Sequence, residues 1–298
     1  MSSRFSRGGA AAFIVLVALL LGQQLLGRNL APAGNRVTIL YDAFGKPSAM
    51  TQDWGYSALV EHRGKRILFD IGNNPTIFAG NVKTAGVDLK KLDFVVLSHR
   101  HLDHTASLSH LLDLNPDVKI YVPRDGVFGG SLPGKFYRRH DSLPDEMRYF
   151  AGKPSEPLTS GVPWLNGKFV MVDSTLEVMP GVHLISLISE SAGTKELPEL
   201  SMALETARGL VVVAGCSHPG IERIVAAAAR IHPRVHSVFG GLHLPSAPDP
   251  EIARIAAALH DTYKVERIAP GHCTGEPAFY HFKKTWKDRY TYAGVGSV

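Results

Sequence analysis

The sequence predicts an α/β domain of the α+β kind, two packed β-sheets flanked by helices, spanning residues 34–298. Short β-rich runs come first in meander fashion, and only later do strands alternate with helical stretches. Strict strand-helix alternation from the start would instead indicate one doubly wound parallel sheet. The chain has 298 residues, 45% hydrophobic and 20% charged, which is enough length and apolar content for one large core.

The elements follow in order. Runs at 37–41, 57–62 and 66–70 read as strands, and Arg63-Gly64-Lys65 between the last two reads as a tight hairpin link. Residues 92–98 form a strand around Phe94-Val95-Val96-Leu97, and 105–114 has helical periodicity that Asn115-Pro116 ends. A further strand occupies 119–122. The stretch 123–168 is rich in glycine and proline, with Gly129-Gly130, Pro133-Gly134 and Lys153-Pro154, and reads as a long loop excursion over the surface. Strands resume at 169–172, 183–188, 201–206 and 210–214. A helix at 221–231, a strand at 235–239, a helix at 251–263, a strand at 266–269 and a terminal helix at 277–288 complete the chain.

Residues 1–33 read as targeting rather than fold, either a signal peptide or an N-terminal membrane anchor. Arg4 and Arg7 precede an apolar run at 10–21, and Ala31-Pro32-Ala33 fits a small-x-small cleavage site. Counted to residue 26, the apolar stretch is marginal for spanning ~30 Å of hydrocarbon. The expectation is an exported protein, periplasmic or held at the inner membrane by this segment, with no other membrane contact. The net charge of +5 owes much to Arg4, Arg7, Arg28 and Arg36, in or beside this leader. No nucleic-acid partner is therefore expected; a small-molecule substrate is. Cys216 and Cys273 are the only cysteines and each adjoins a histidine motif, so a disulfide framework is not what this chain uses.

The chemistry concentrates in Ser98-His99-Arg100-His101-Leu102-Asp103-His104, where three imidazoles and a carboxylate fall within six positions just past a buried strand. Such side chains are ligands for zinc, iron or manganese, and a turn at a strand end aims alternate residues at one point. His218, His243 and His272 also lie just beyond apolar strands, each beside glycines that make tight turns cheap. Strands ending on one sheet edge would gather them. His62, His110, His140, His183, His232, His236, His260 and His281 read as structural.

His99-x-His101-x-Asp103-His104 after a strand resembles the signature of the metallo-β-lactamase superfamily, and Leu68-Phe69-Asp70-Ile71-Gly72 resembles its Asp-Thr-Gly strand end. Asp53-Trp54-Gly55-Tyr56-Ser57, Gly215-Cys216-Ser217-His218, Gly240-Gly241-Leu242-His243 and Pro270-Gly271-His272-Cys273-Thr274-Gly275 resemble the subgroup named for archaeal 7,8-dihydropterin-6-methyl-4-(β-D-ribofuranosyl)-aminobenzene 5′-phosphate synthase. The resemblance implies a four-layer αββα sandwich with a dinuclear site at one edge. His99 and His101 would hold one ion, and Asp103, His104 and His272 the other. One departure stands out: the strand at 183–188 has no histidine at its end, and Gly215-Cys216 replaces the family's Gly-Asp. Either His218 supplies the missing imidazole or Cys216 supplies a thiolate; His243 is a further candidate.

Asp70 reads as a carboxylate that orients a ligating imidazole, or else as a simple turn former before Gly72-Asn73-Asn74-Pro75. Two divalent ions, zinc first and iron or manganese next, would acidify bound water and supply Lewis acidity. The expected reaction is hydrolysis of an ester, lactone or phosphoester, with Asp103 positioning the attacking group. The alternatives are a dihydropterin-type transferase at the same site and an exported metal-binding protein without turnover. Within the excursion, Arg138 and Arg139 beside Phe136-Tyr137 suit an anionic substrate.

Overall fold

The computed structural model describes residues 34–130, 142–148, 151 and 162–298. Residues 35–298 form one compact unit. One sheet comprises, in chain order, β1 (Arg36–Tyr41), β2 (Ser57–His62), β3 (Lys65–Phe69), β4 (Phe94–Val96), β5 (Lys119–Pro123) and β6 (Lys168–Val172). The other comprises β7 (Leu176–Met179), β8 (Val182–Ile188), β9 (Pro198–Thr206), β10 (Gly209–Ala214), β11 (Val235–Gly241) and β12 (Arg267–Gly271), again in chain order. Each sheet begins as an antiparallel meander and turns parallel, from β3 onward in the first and from β10 onward in the second.

Parallel neighbours require crossovers, and the helices supply most of them. α1 (Pro75–Thr84) links β3 to β4, and α2 (Leu102–Thr105) with α3 (Leu108–Leu114) links β4 to β5. α4 (Ile221–Ile231) and α5 (Asp249–Ala257) serve β10 to β12, and α6 (Glu276–Trp286) follows β12. The antiparallel β2–β3 pair needs only two residues, Arg63 and Gly64, with φ of 50° and 78°. That pair of positive φ values matches the strand twist, as in a type I′ turn.

The four layers follow from side-chain alternation. In β4, Phe94 and Val96 face the core between the sheets, while Val95 and the following Leu97 face α1 and α3. β10 divides likewise: Val213 points between the sheets, whereas Leu210 and Val212 pack with Ile224, Val225 and Ala228 of α4. Both faces of the inner strands are covered, which is why 92–98 and 210–214 read as continuous apolar runs. The result is the expected αββα sandwich.

Three elements differ from the sequence reading, the first being β7 (Leu176–Met179), a short edge strand that it passed over. Gly72-Asn73-Asn74-Pro75 leads straight into α1, a helix the apolar pattern did not reveal. Asn74 Oδ1 accepts from the backbone N–H groups of Thr76 and Ile77 at 3.0 and 3.3 Å, and Pro75 takes the first helical position. The helix expected at 105–114 starts earlier, at Leu102, and breaks into α2 and α3, so Asp103 and His104 ride on the first helical turn. Among the described residues no helix is long and apolar enough to cross a membrane. Residues 1–33 and most of the central excursion, including Arg138, Arg139 and His140, lie outside the described residues.

Candidate metal centre

Asp70 follows β3, Ser98 to His104 follow β4, Gly215 to His218 follow β10, His243 follows β11, and His272 with Cys273 follows β12. Within each sheet these strands are parallel, so the segments after them emerge on one edge. The sheets are tied there by the Leu200 N–H, which donates to the Ser98 carbonyl at 2.8 Å. Gly215 sits at the join: a Cβ on it would lie 2.3 Å from Ser98 Oγ and 2.8 Å from Asp70 Oδ2, so any side chain would force the sheets apart.

Two triads of ligand atoms result. His99, His101 and His218 form the first, with His99 Nε2 3.0 Å from His101 Nδ1 and the His218 ring 4.8 and 4.9 Å from the His99 and His101 rings. Asp103, His104 and His272 form the second. His104 Nε2 lies 3.2 Å from His272 Nε2, and Asp103 Oδ2 lies 3.6 and 3.4 Å from those two nitrogens. Ligands about 2.0–2.1 Å from a tetrahedral ion stand roughly 3.3–3.4 Å apart, close to these spacings. Cys216 Sγ, 3.2 Å from His104 Nε2, groups with His99 and His104 and so stands between the triads. His218 and Cys216, the two candidates for the altered position, are both brought to the cluster.

The hydrogen bonds leave bare nitrogens facing inward. Buried Asp70 accepts from the Ser98 N–H and from Ser98 Oγ, each at 2.7 Å, and its Oδ2 is 2.7 Å from His104 Nδ1. Nδ1 of His104 therefore carries the proton and Nε2 is a lone pair. Ser98 Oγ spends its own proton on Asp70 and accepts from His99 Nδ1 at 2.9 Å, so His99 Nε2 is bare as well. Neither ring nitrogen of buried His218 has a partner, nor does Nδ1 of His272. Leaving buried imidazoles unpartnered is costly, and a cation within the triads supplies the missing partner. The donor set thus fits divalent metal ions.

Three supporting residues escaped the sequence reading: Ser98, Asp42 and Glu199. Asp42 Oδ2 accepts from the His272 N–H at 2.9 Å. Glu199 Oε1 accepts from the N–H groups of Cys216 and Ser217 at 3.2 and 2.7 Å, and Oε2 from that of His218 at 2.8 Å. That carboxylate pins a loop containing Ser217 at φ 68°. The end of β8, which lacks the family's histidine, supports His218 instead: Ser189 Oγ and Ser191 Oγ donate to its carbonyl at 2.9 and 3.2 Å. A signal existed for two of the three, since Asp42 ends a strand as Asp70 does and Glu199 interrupts an otherwise apolar run.

Electrostatics keep His99 and His218 neutral, whereas burial of His272 is outweighed by Cys273 and the hydrogen bond to Asp103, which raise its imidazole to about 10. Burial, then the neighbouring imidazoles of His104 and His218, holds His99 well below its ordinary range. Burial, followed by His243 and His101, lowers His218 to about 3. Burial opposes ionisation of Asp103, yet the hydrogen bond from His272 and the nearby His104 hold its carboxyl far below the usual range. Burial raises both Asp42 and Glu199 to about 7.

The remaining histidines stand apart. His183 pairs with Glu205, His236 with Glu266 and His260 with Asp261, at 3.0, 2.9 and 2.7 Å. His62, His110, His232 and His281 join no group of ligand atoms among the described residues. His243 is exposed and joins neither triad, standing with Cys216 and Cys273. Both cysteines are free and buried, their sulfurs 3.4 Å apart.

The sandwich with its edge cluster is a metallo-beta-lactamase fold, similar to solved structures of that fold, and residues 50–188 match the family model described as the metallo-beta-lactamase superfamily. Among characterised relatives, the 7,8-dihydropterin-6-methyl-4-(beta-D-ribofuranosyl)-aminobenzene-5′-phosphate synthase of Methanocaldococcus jannaschii is 28% identical, covering 88% of this chain and 94% of that protein. The uncharacterized protein MJ0448 of the same organism is 27% identical over 82% of this chain and 92% of its own length. Among solved structures, Tm1679, described as a metal-dependent hydrolase of the beta-lactamase superfamily, superposes with a TM-score of 0.63 at 26% identity. That match covers 88% of this chain and 97% of the other.

Proposed function

We propose that this domain is a metal-dependent hydrolase of a small-molecule ester, lactone or phosphoester, working with two divalent ions, zinc first and iron or manganese next. The observation that carries the reading is the pair of triads at the sheet edge, with Cys216 between them grouped with one residue of each. His99, His101 and His218 would hold one ion and Asp103, His104 and His272 the other, with Cys216 between them. Two ions so held supply Lewis acidity and lower the pKa of water toward neutrality. The protein's part is orientation. Asp70 and Ser98 hold His99 and His104 in one tautomer, while Asp42 and Glu199 fix the backbone at His272 and at Cys216 to His218. Asp103 and His101 are only partly buried, so the centre opens to solvent on their side. Asp103, ionised and at that opening, would orient the attacking water.

The relative from Methanocaldococcus jannaschii is a synthase aligned over most of both chains, which favours a group transfer at the same residues as the second reading. An anionic substrate held by Arg138 and Arg139, and export directed by residues 1–33, complete the proposal on sequence grounds. The test is metal analysis of the purified domain followed by turnover assays across lactones, carboxylic esters, phosphodiesters and phosphorylated pterins. Metal-dependent cleavage of one class by water supports the hydrolase. Transfer without hydrolysis supports the second reading, and a fully loaded protein inert toward every class sinks both.

A further inference from the structure

Cys216, His243 and Cys273 form a third set of ligand atoms, all within 4.8 Å of one another, that neither ion of the pair requires as a whole. We propose that this set is a third metal position, thiolate-rich and joined to the pair through Cys216, that takes a thiophilic divalent ion such as zinc or cadmium.

The set is built by three neighbouring strands. Cys216 follows β10, His243 follows β11 and Cys273 lies just after β12, so the parallel register that gathers the first two triads also gathers this one. The sulfurs of Cys216 and Cys273 are 3.4 Å apart. Two thiolates about 2.3 Å from a shared tetrahedral ion stand roughly 3.8 Å apart, a small outward movement from the observed spacing. The surrounding backbone makes room for this approach. A Cβ on Gly241 would lie 3.0 Å from Cys273 Sγ and 2.2 Å from the Gly215 carbonyl oxygen, so glycine is needed for Cys273 to sit where it does. The Leu244 N–H donates to the Cys273 carbonyl at 3.1 Å, tying the β11 and β12 ends together.

His243 provides the second, independent indication. It is a non-glycine residue at φ 50°, a conformation L-residues avoid, and it is exposed although it follows a buried strand. One side of its ring meets the cluster, 4.1 Å from the ring of His218. A backbone strained to return an exposed imidazole to two buried thiols is what a ligand needs. Two thiolates and one imidazole leave a fourth position open, and soft sulfur donors discriminate against magnesium, calcium and manganese. Binding displaces the two thiol protons to solvent, and Cys216 then bridges this ion to the pair.

The test is a cobalt titration of the metal-free full chain under reducing, oxygen-free conditions. Bound cobalt is counted by mass spectrometry of the metal after desalting, and thiolate-to-cobalt charge-transfer absorption is followed at each addition. The expected result is three ions per chain in the wild type. His243→Ala and Cys273→Ser should each stop at two, with the charge-transfer intensity falling by about half, while His99, His101, His218, Asp103, His104 and His272 keep their ions. If Cys273→Ser loses its circular dichroism, His243→Ala decides alone, because an exposed side chain is removed. A wild type that stops at two ions, or a His243→Ala protein indistinguishable from it, overturns the proposal. So does an unreduced mass showing two hydrogens lost to a Cys216–Cys273 disulfide in the metal-loaded protein. No turnover is measured, so an inactive protein that loads three ions leaves this inference standing while removing the hydrolase reading.

Discussion

At the scale of single residues, the site works through proton placement. Asp70 holds the His104 proton on Nδ1, and Asp70→Asn would offer that nitrogen an amide of ambiguous polarity. We expect metal affinity to fall about 10–100-fold in this variant, measured by competition with a chromogenic chelator. His101→Ala and His104→Ala each delete a proposed ligand and should lose bound metal and turnover, whereas His236→Ala, whose imidazole pairs with Glu266, should keep its metal. Full occupancy in the first two would remove the site assignment. Glu199 gives a pH test in the metal-free protein. Burial raises its carboxyl to about 7 from an ordinary 4.5, so the folded state holds the proton more tightly than the unfolded one. Its contribution is complete below about pH 4.5 and is lost as pH rises through 7. His218, lowered to about 3, acts in the opposite sense as pH falls below 6.5, so Glu199 must be isolated by substitution. The thermal-stability advantage of wild type over Glu199→Gln should be largest near pH 5 and shrink toward pH 8. An advantage that grows with pH would show the ionised carboxylate to be the favoured form.

At the scale of elements, strand ends decide where chemistry can sit. Gly241→Ala would place a Cβ 2.2 Å from the Gly215 carbonyl oxygen, across the parallel β10–β11 pair. Backbone cannot yield there as a flexible side chain would. We expect a loss of about 2–4 kcal/mol in urea unfolding together with weaker metal binding, because both ligand-bearing strand ends must part. Unchanged binding would mean that the ends tolerate more separation than the geometry allows. Most elements were legible beforehand: α4 falls on the residues its periodicity indicates, and the β2–β3 hairpin sits on its Arg-Gly turn. α1 was not, because only Phe78, Asn81 and Val82 of its ten residues are buried and its apolar pattern is weak. Its visible signal was the cap, Asn74 followed by Pro75. Asp103 and His104 were legible as a cluster, but their place on a short helix was not, since the strand-to-helix turn carries no apolar period.

At the scale of the whole molecule, the cluster spans both sheets, so ions bound there act as a clasp on the sandwich. Ion at roughly 100 times its dissociation constant stabilises by about 2.7 kcal/mol, which for a domain of this size is a Tm rise of about 5–10 °C. Chelation should reverse it, and a Tm indifferent to chelator would mean the ions do not bridge the sheets. The sequence showed which residue types would meet, through His99-x-His101-x-Asp103-His104 and the histidines beyond later strands. It could not show that Cys216 and His218 both come to the cluster, because that depends on Glu199 gripping the loop from another strand. The central claim, a two-ion centre on these residues, is tested most directly by an anomalous difference map from crystals of the zinc-loaded protein at the zinc edge. The account predicts one peak among His99, His101 and His218 and another among Asp103, His104 and His272, each about 2.0–2.2 Å from its nitrogen and oxygen ligands. Zinc found only at surface sites, with both triads empty, would contradict it.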